Sequence, residues 1–408
     1  MEIPNDQRVL KIIHLLIAIC LLSVSAYAKY SGGTGEPGDP YKIAKAGDLM
    51  LLGNSPEDYE KHFMLTNDIS VGPSLLGGKG FDRAVIAPDS DPAENGFQGT
   101  PFTGVFDGND HTIFHLTFRG EGYLGLFGQL DVGAKVSNLG LEAVSINGTA
   151  DDTGGLAGHN YGNITLCYST GKVNGGIGVG GLVGINYGHI ARSSSMGTVS
   201  GRHCIGGLAG VTYGRITRSY STGTVSGRIS VGGLAGANAG SGIISMSYST
   251  CLVSAEWSQW TPGEGRPVGG LAGENYGFIT NCYSTGAAAG RNAVGGLVGL
   301  NRVDPYYPDS ILNCYSTGAV SGGDNSGGLV GSNVEAAITN SFWDIRLSHR
   351  ASSGGGTGLT TPEMQTAATF LEAGWDFLGE TQNGADEIWW ILEGQDYPRL
   401  CWEQIPEN

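Results

Sequence analysis

Charge is scarce in this chain of 408 residues: 22 Lys and Arg stand against 38 Asp and Glu, a formal net charge of −16. So small and outnumbered a basic set argues against nucleic acid as a partner, because an acidic surface repels phosphate. Beyond residue 24 no stretch approaches the roughly 20 apolar residues that a membrane-spanning helix needs. Seven cysteines are too few to staple a small fold. There is no Cys-x-x-Cys, no His-Glu-x-x-His and no cluster at zinc-ligand spacing, which removes the commonest metalloprotease signature. It does not remove catalysis by carboxylates, which leaves no local motif. What is abundant is Gly, 71 residues against an average share of about 7%. Gly still falls short of one-third and has no three-residue period, so collagen is excluded. A hydrophobic content of 40% is enough for a core.

The first 28 residues read as a signal peptide. Arg8 and Lys11 precede and enter an apolar run from Ile12 to Val24, and Ala26-Tyr27-Ala28 supplies a small-x-small cleavage pattern before Lys29. The expected location is therefore secreted or cell-surface.

A repeat organises the middle of the chain. Gly-Gly-Leu recurs from Gly154, Gly180, Gly206, Gly232, Gly269, Gly295 and Gly327, at spacings of 26, 26, 26, 37, 26 and 32 residues. A representative unit runs Gly154-Gly155-Leu156-Ala157-Gly158, then Asn160, Gly162 and Ile164, then Cys167-Tyr168-Ser169-Thr170-Gly171 and Val173. It is too short for a propeller blade and carries no apolar stripe of period 3.6. Short β-branched and aromatic runs punctuated by Gly and Asn read as strands joined by tight turns. The expected fold is all-β, a parallel β-helix (β-solenoid) of about 26 residues and about three strands per coil, capped by atypical ends with short helices.

Stacked coils place equivalent residues on top of one another. The Leu of each Gly-Gly-Leu should point inward, with Ile164, Ile190, Ile216, Ile279, Ile311 and Ile338 as a second internal column. Asn160, Asn186, Asn238, Asn275, Asn301 and Asn333 should form a hydrogen-bonded corner column that tolerates left-handed geometry, interrupted by Thr212. Tyr168, Tyr220, Tyr248, Tyr283 and Tyr315 stack in another column, facing either in or out. Cys167, Cys282 and Cys314 share one position with Ser193, Ser219 and Ser247, the pattern of a small buried slot.

Four regions follow: signal peptide 1–28; N-terminal cap and irregular coils 29–150, coiling from near residue 100; repeat solenoid 151–345; and a C-terminal cap 346–408 with a short helix after Thr361-Pro362-Glu363. The tryptophans of the last region read as a lid on the final coil. Segments 29–150 and 341–408 each carry a net −8, while 151–340 is neutral. A neutral stack avoids ladders of like charge about 5 Å apart.

Two insertions break the period. One holds Trp257, Trp260 and Glu264; the other holds Asp304, Tyr306, Tyr307 and Asp309. Insertions in solenoids map to binding faces, and flat aromatics with carboxylates suit sugars. These seven residues are the candidate ligand site. Asp107, Asn109 and Asp110 are a calcium candidate, although they do not match an EF-hand loop and read first as a turn. No other cofactor and no catalytic set is expected. Asp151 and Asp152 are adjacent, and neighbours on a strand point apart.

The unit Gly-Gly-Leu-Ala-Gly-x-Asn-x-Gly-x-Ile followed by Cys/Ser-Tyr-Ser-Thr-Gly-x-Val resembles the GLUG motif family. That resemblance implies secreted or surface-attached bacterial β-solenoids, some of them adhesins, and it supplies no catalytic residues. The expected function is a secreted, non-catalytic solenoid in adhesion, glycan binding or extracellular scaffolding, with an extracellular glycan or surface protein as partner. The alternative is a carbohydrate-active β-helix enzyme, a polysaccharide lyase or hydrolase.

Overall fold

A computed structural model describes residues 29–403 apart from 73–76, 78, 92, 95, 149–150, 257–265 and 304–308. One coil shows the plan. Ile177–Gly180 lies in a first sheet, Val183–Asn186 in a second, His189–Ala191 in a third and Ser194–Ser200 in a fourth. The next coil repeats each strand in parallel register: Val179 opposite Ile205, Val183 opposite Ala209, Ile190 opposite Ile216, Ser194 opposite Tyr220. The result is a β-solenoid whose sheets I to IV hold 7, 8, 11 and 15 strands among the described residues. Four strands fit where about three were expected, because most are only two to four residues long and the corners between them are equally short.

Coiling also begins earlier than the repeats suggest. Tyr41–Ile43 pairs with His62–Leu65, and that strand with Val105–Asp107, all in sheet III. Here the centre is filled by Phe63, Phe102, Phe106 and Phe127, all essentially inaccessible. Their irregular spacing hides the period. The helix Ala46–Gly53 lays Leu49 and Leu52 against this aromatic end of the core.

Within the regular coils the Leu column is fully buried, from Leu156 to Leu329. Burying each such side chain is worth about 1.5–3 kcal/mol, so seven copies are a large share of the stabilisation. The Ile column holds, with Ile244 as a further member between Ile216 and Ile279. It escaped the sequence pattern because its coil has a longer turn before it.

Glycine serves two different contacts. A Cβ on Gly180 would overlap the Val183 carbonyl oxygen, and one on Gly184 would lie 2.6 Å from the Asp152 carbonyl carbon and the Gly158 oxygen. Sheets I and II thus touch backbone to backbone, an approach that only Gly allows.

The Asn column is an internal hydrogen-bond ladder. Asn160 Nδ2 donates to Asn186 Oδ1 at 2.8 Å, Asn238 to Asn275 at 2.7 Å, and Asn275 to Asn301 and Asn301 to Asn333 at 2.8 Å. Thr212 Oγ1 accepts from Asn186 Nδ2 at 3.0 Å, and among the described residues Asn238 Oδ1 is left buried without a partner. Left-handed geometry, however, belongs to the next corner. Asn138, Leu166, Arg192, Arg218, Met246, Asn281, Asn313 and Asn340 all have φ between +46° and +54°. From Leu166 onward the residue after each carries the Cys/Ser slot, and its purpose is now visible. Ser219 Oγ accepts from Ser193 N at 3.2 Å, Ser247 Oγ from Ser219 N at 3.1 Å, and Cys314 Sγ from Cys282 N at 3.4 Å. Side chains carry the ladder around a corner where backbone pairing lapses.

The Tyr column faces outward. Its alternating neighbours Ser169, Ser221 and Ser316 point in, each donating to a glycine carbonyl of the following Gly-Gly pair (Ser221 Oγ to Gly233 O at 2.6 Å). The final coil is closed not by the tryptophans but by the segment after Trp343. Ser353 Oγ accepts from Val330 N at 2.9 Å, and Thr357–Leu359 pairs with Phe342–Asp344. The remaining chain turns back along the flank. Helices Thr361–Met364 and Ala367–Glu372 lead into a second core, where Trp375, Phe377 and Trp389 cover Tyr283, Tyr315 and Phe342. Tyr315 Oη donates to Pro398 O at 2.7 Å, and Tyr283 Oη to Glu403 Oε2 at 2.9 Å. Buried Asp344 anchors the turn, accepting from Leu347 N at 2.8 Å and from the hydroxyls of Thr361 and Tyr397 at 2.7 Å.

Candidate binding surfaces

The corner between sheets II and III carries a second aromatic ladder, absent from the sequence reading. Tyr161 and Tyr187 stack with centroids 4.5 Å apart and planes 4° apart; Tyr187 and Tyr213 stack at 4.9 Å and 4°. Each follows the ladder residue Asn160, Asn186 or Thr212, so the internal ladder sets the spacing of the external one. Tyr187 and Tyr213 are 39% and 41% exposed, against 0% for Tyr283 and Tyr315. Partial burial raises the phenol pKa of Tyr161 and Tyr187 above its ordinary value, so their hydroxyls remain donors at neutral pH. Beside the stack, His159 sits 4.7 Å from Tyr123 and 5.9 Å from Tyr187, ring to ring, and its Nε2 lies 3.0 Å from Asp152 Oδ2. The signal was available as the tripeptides Asn160-Tyr161-Gly162, Asn186-Tyr187-Gly188 and Thr212-Tyr213-Gly214.

A cleft of about 330 Å³ lies at the left-handed corner, where the end of the folded-back C-terminal segment lies against the solenoid. Arg192, Arg218 and Met246 form the solenoid wall; Asp386, Glu387, Ile388, Trp390, Cys401 and Trp402 form the other. Trp402 is fixed by its Nε1 donating to Met246 O at 2.8 Å and by stacking 5.8 Å from Tyr248. Among the described residues Trp390 Nε1 is buried with no partner. Neither tripeptide nor spacing could show this cleft, because its walls meet only through the fold-back.

Of the seven residues expected to bind ligand, Trp257, Trp260, Glu264, Asp304, Tyr306 and Tyr307 lie outside the described residues; Asp309 begins the strand Asp309–Leu312 of sheet III. The flanking strands show where the insertions attach. The first joins Leu252–Ala255 of sheet IV to Val268–Gly269 of sheet I, and the second joins Val298–Arg302 of sheet II to sheet III. The second therefore leaves from the same corner as the exposed tyrosines.

Asp107, Asn109 and Asp110 form a turn. Asp107 Oδ1 accepts from Asn109 N at 2.9 Å and from Asn138 Nδ2 at 3.0 Å, and both Asn109 and Asp110 are left-handed. Among the described residues no group of three or more His, Cys, Asp or Glu is placed to hold a metal. Asp151 and Asp152 do point apart: Asp151 Oδ1 accepts from Ile177 N at 2.8 Å, while Asp152 turns to His159. Cys167, Cys282 and Cys314 are free thiols in the core, and burial pushes Cys167 up to about 12 and Cys282 well above its ordinary value. Such thiols are poor nucleophiles. No helix among the described residues is long and apolar enough to cross a membrane.

A family model described as the GLUG motif matches residues 150–174 and 201–226. Halomucin of Haloquadratum walsbyi is 34% identical over 149 residues, 35% of this chain and 2% of that protein. A protein of Evansella cellulosilytica, provisionally named a Gly-rich membrane protein, is 32% identical over 140 residues, 34% of this chain and 12% of that protein. The chain thus spans a small part of the length of either relative. A crystal structure of a Bacteroides ovatus protein, provisionally named an immunoglobulin A1 protease, aligns over 92% of this chain and 96% of its own, with a TM-score of 0.47 and 20% identity. The chain carries the GLUG motif, and the two segments matched by the family model are turns of its β-solenoid.

Proposed function

We propose that this protein is a secreted, non-catalytic scaffold that holds glycan along one flank, in adhesion or in an extracellular matrix. The observation that carries the reading is the exposed stack Tyr161, Tyr187 and Tyr213, a row of aromatic edges and phenol donors one coil apart. Aromatic surface with a polar tip suits a sugar's mixed apolar and hydroxyl faces. The insertion carrying Asp304, Tyr306, Tyr307 and Asp309 departs from the same corner; with Trp257, Trp260 and Glu264 it supplies further aromatics and carboxylates of the kind that suit sugars. Secretion rests on the signal-peptide pattern of residues 1–28. Kinship with a protein named Halomucin agrees with a place among extracellular polymers.

The test is a glycan array with the mature chain, repeated with Tyr187→Ala/Tyr213→Ala and with Trp257→Ala/Tyr307→Ala. Loss of bound signal at unchanged melting temperature is expected for the first pair. An array with no hit, or hits that survive both pairs, would refute the reading. Released sugar products in the same wells would instead favour the polysaccharide lyase or hydrolase.

A further inference from the structure

We infer that the cleft between the left-handed corner and the C-terminal segment is a second site, built for a carboxylate-bearing sugar unit. The inference rests on the glycan reading for its ligand class and on separate residues for its place. Its volume of about 330 Å³ is at the small end of ligand pockets, which run from about 300 to 1,000 Å³.

The donors come first. Arg192 and Arg218 stand on consecutive coils, where Thr217 O accepts from Arg192 N at 3.0 Å and Ser245 O from Arg218 N at 3.2 Å. Two like charges stacked one coil apart repel, and both residues hold φ near +50°, a region costly for a long side chain. Four of the eight coils put Asn at this position, the residue that tolerates it best. Arg at two of the three coils that border the cleft is thus a local cost, the pattern expected where a site rather than the fold chooses the residue. Among the described residues the Arg218 guanidinium has no hydrogen bond or ion pair. An unmet guanidinium on the cleft wall calls for a ligand with acceptor oxygens, and its planar fork matches a carboxylate best.

The remaining lining selects a sugar over a simple anion. Trp402 is held rigid by Met246 O and Tyr248, so an indole surface is presented without ordering cost. Asp386 and Glu387 supply acceptors for hydroxyl protons and would repel a bare polyanion. A ring with one carboxylate and several hydroxyls satisfies both walls. Because one wall is solenoid and the other is C-terminal segment, such a ligand also bridges the two.

Calorimetric titration of the full mature chain with galacturonate, glucuronate and N-acetylneuraminate, each against a neutral sugar, tests this, with acetate as the plain-anion control. At least one acid sugar is expected to bind tenfold or more tighter than its neutral partner. Arg218→Ala should abolish that preference, Arg218→Lys should restore it only in part, and Trp402→Ala should weaken binding severalfold; unchanged melting temperatures show that the variants fold. The bound sugar should also slow protease cleavage of the C-terminal segment. Equal affinity for acid and neutral sugars, acetate binding as well as the sugars, or indifference to Arg218→Ala would each overturn the site. Array hits that persist in Arg218→Ala leave the glycan-binding function standing without it, whereas an array blank for all glycans removes that function itself.

Discussion

Two tyrosine ladders climb the same solenoid with nearly the same ring spacing, yet one is sealed and the other open. Tyr248, Tyr283 and Tyr315 stack at 4.9 and 5.1 Å on the outside of sheet IV, and the C-terminal segment lies over them. Tyr161, Tyr187 and Tyr213 stack just as closely one corner away, and Tyr187 and Tyr213 stand open to solvent. Repetition alone builds an aromatic ladder; what happens to it depends on a segment far along the chain. The sealed ladder works as a second core, and the open one keeps its hydroxyls for an outside partner.

The sharpest way to break this contrast is to truncate one ring from each ladder. Tyr315→Ala removes a fully buried ring and its hydrogen bond to Pro398 O, and should cost about 3–5 kcal/mol in urea unfolding, with early proteolysis of the C-terminal segment. A smaller effect, about 1–3 kcal/mol, is expected of Tyr283→Phe, which leaves the Glu403 carboxylate without its hydroxyl donor. That carboxyl also makes the sealed ladder respond to pH. Burial holds its pKa above the ordinary carboxylate value, so its contribution to docking is fully present below that ordinary value and is lost as pH rises through the folded one. Tryptophan fluorescence should report tighter docking near pH 4 than at pH 7, and Glu403→Gln should flatten the difference. Tyr187→Ala is the mildest, within about 1 kcal/mol in the same unfolding assay. A loss there equal to that of Tyr315→Ala would show that both ladders are structural.

The parts of the fold that were legible are those where one residue recurs at one interval. Leu156 through Leu329 and the Asn column announce themselves because stacking demands the same side chain in each coil. The left-handed corner hid for the opposite reason: Leu166, Arg192, Arg218 and Met246 occupy it beside four Asn, and no common chemistry marks it. The direction of the Tyr column was undecidable locally, since it depends on the inward Ser beside each ring and on the cover supplied by Trp389. The fold-back itself joins Tyr283 to Glu403 across 120 residues, and neither composition nor period encodes such a contact. Of the binding surfaces, the exposed tyrosines were readable in three tripeptides, whereas the cleft exists only after the segment docks.

The short corners and tight stacking have a mechanical meaning. A coil of 26 residues occupies only about 4.8 Å of axial height, the spacing of neighbouring strands. Drawn out fully it spans roughly 90 Å, at about 3.3–3.6 Å per residue. Each turn therefore stores nearly twenty times its own height as hidden length, held by one layer of backbone hydrogen bonds, one leucine and one asparagine. Pulled from its ends, such a chain would lengthen one coil at a time, and the side-docked C-terminal segment would act as a clasp spanning several turns, so that the coils beneath it yield last.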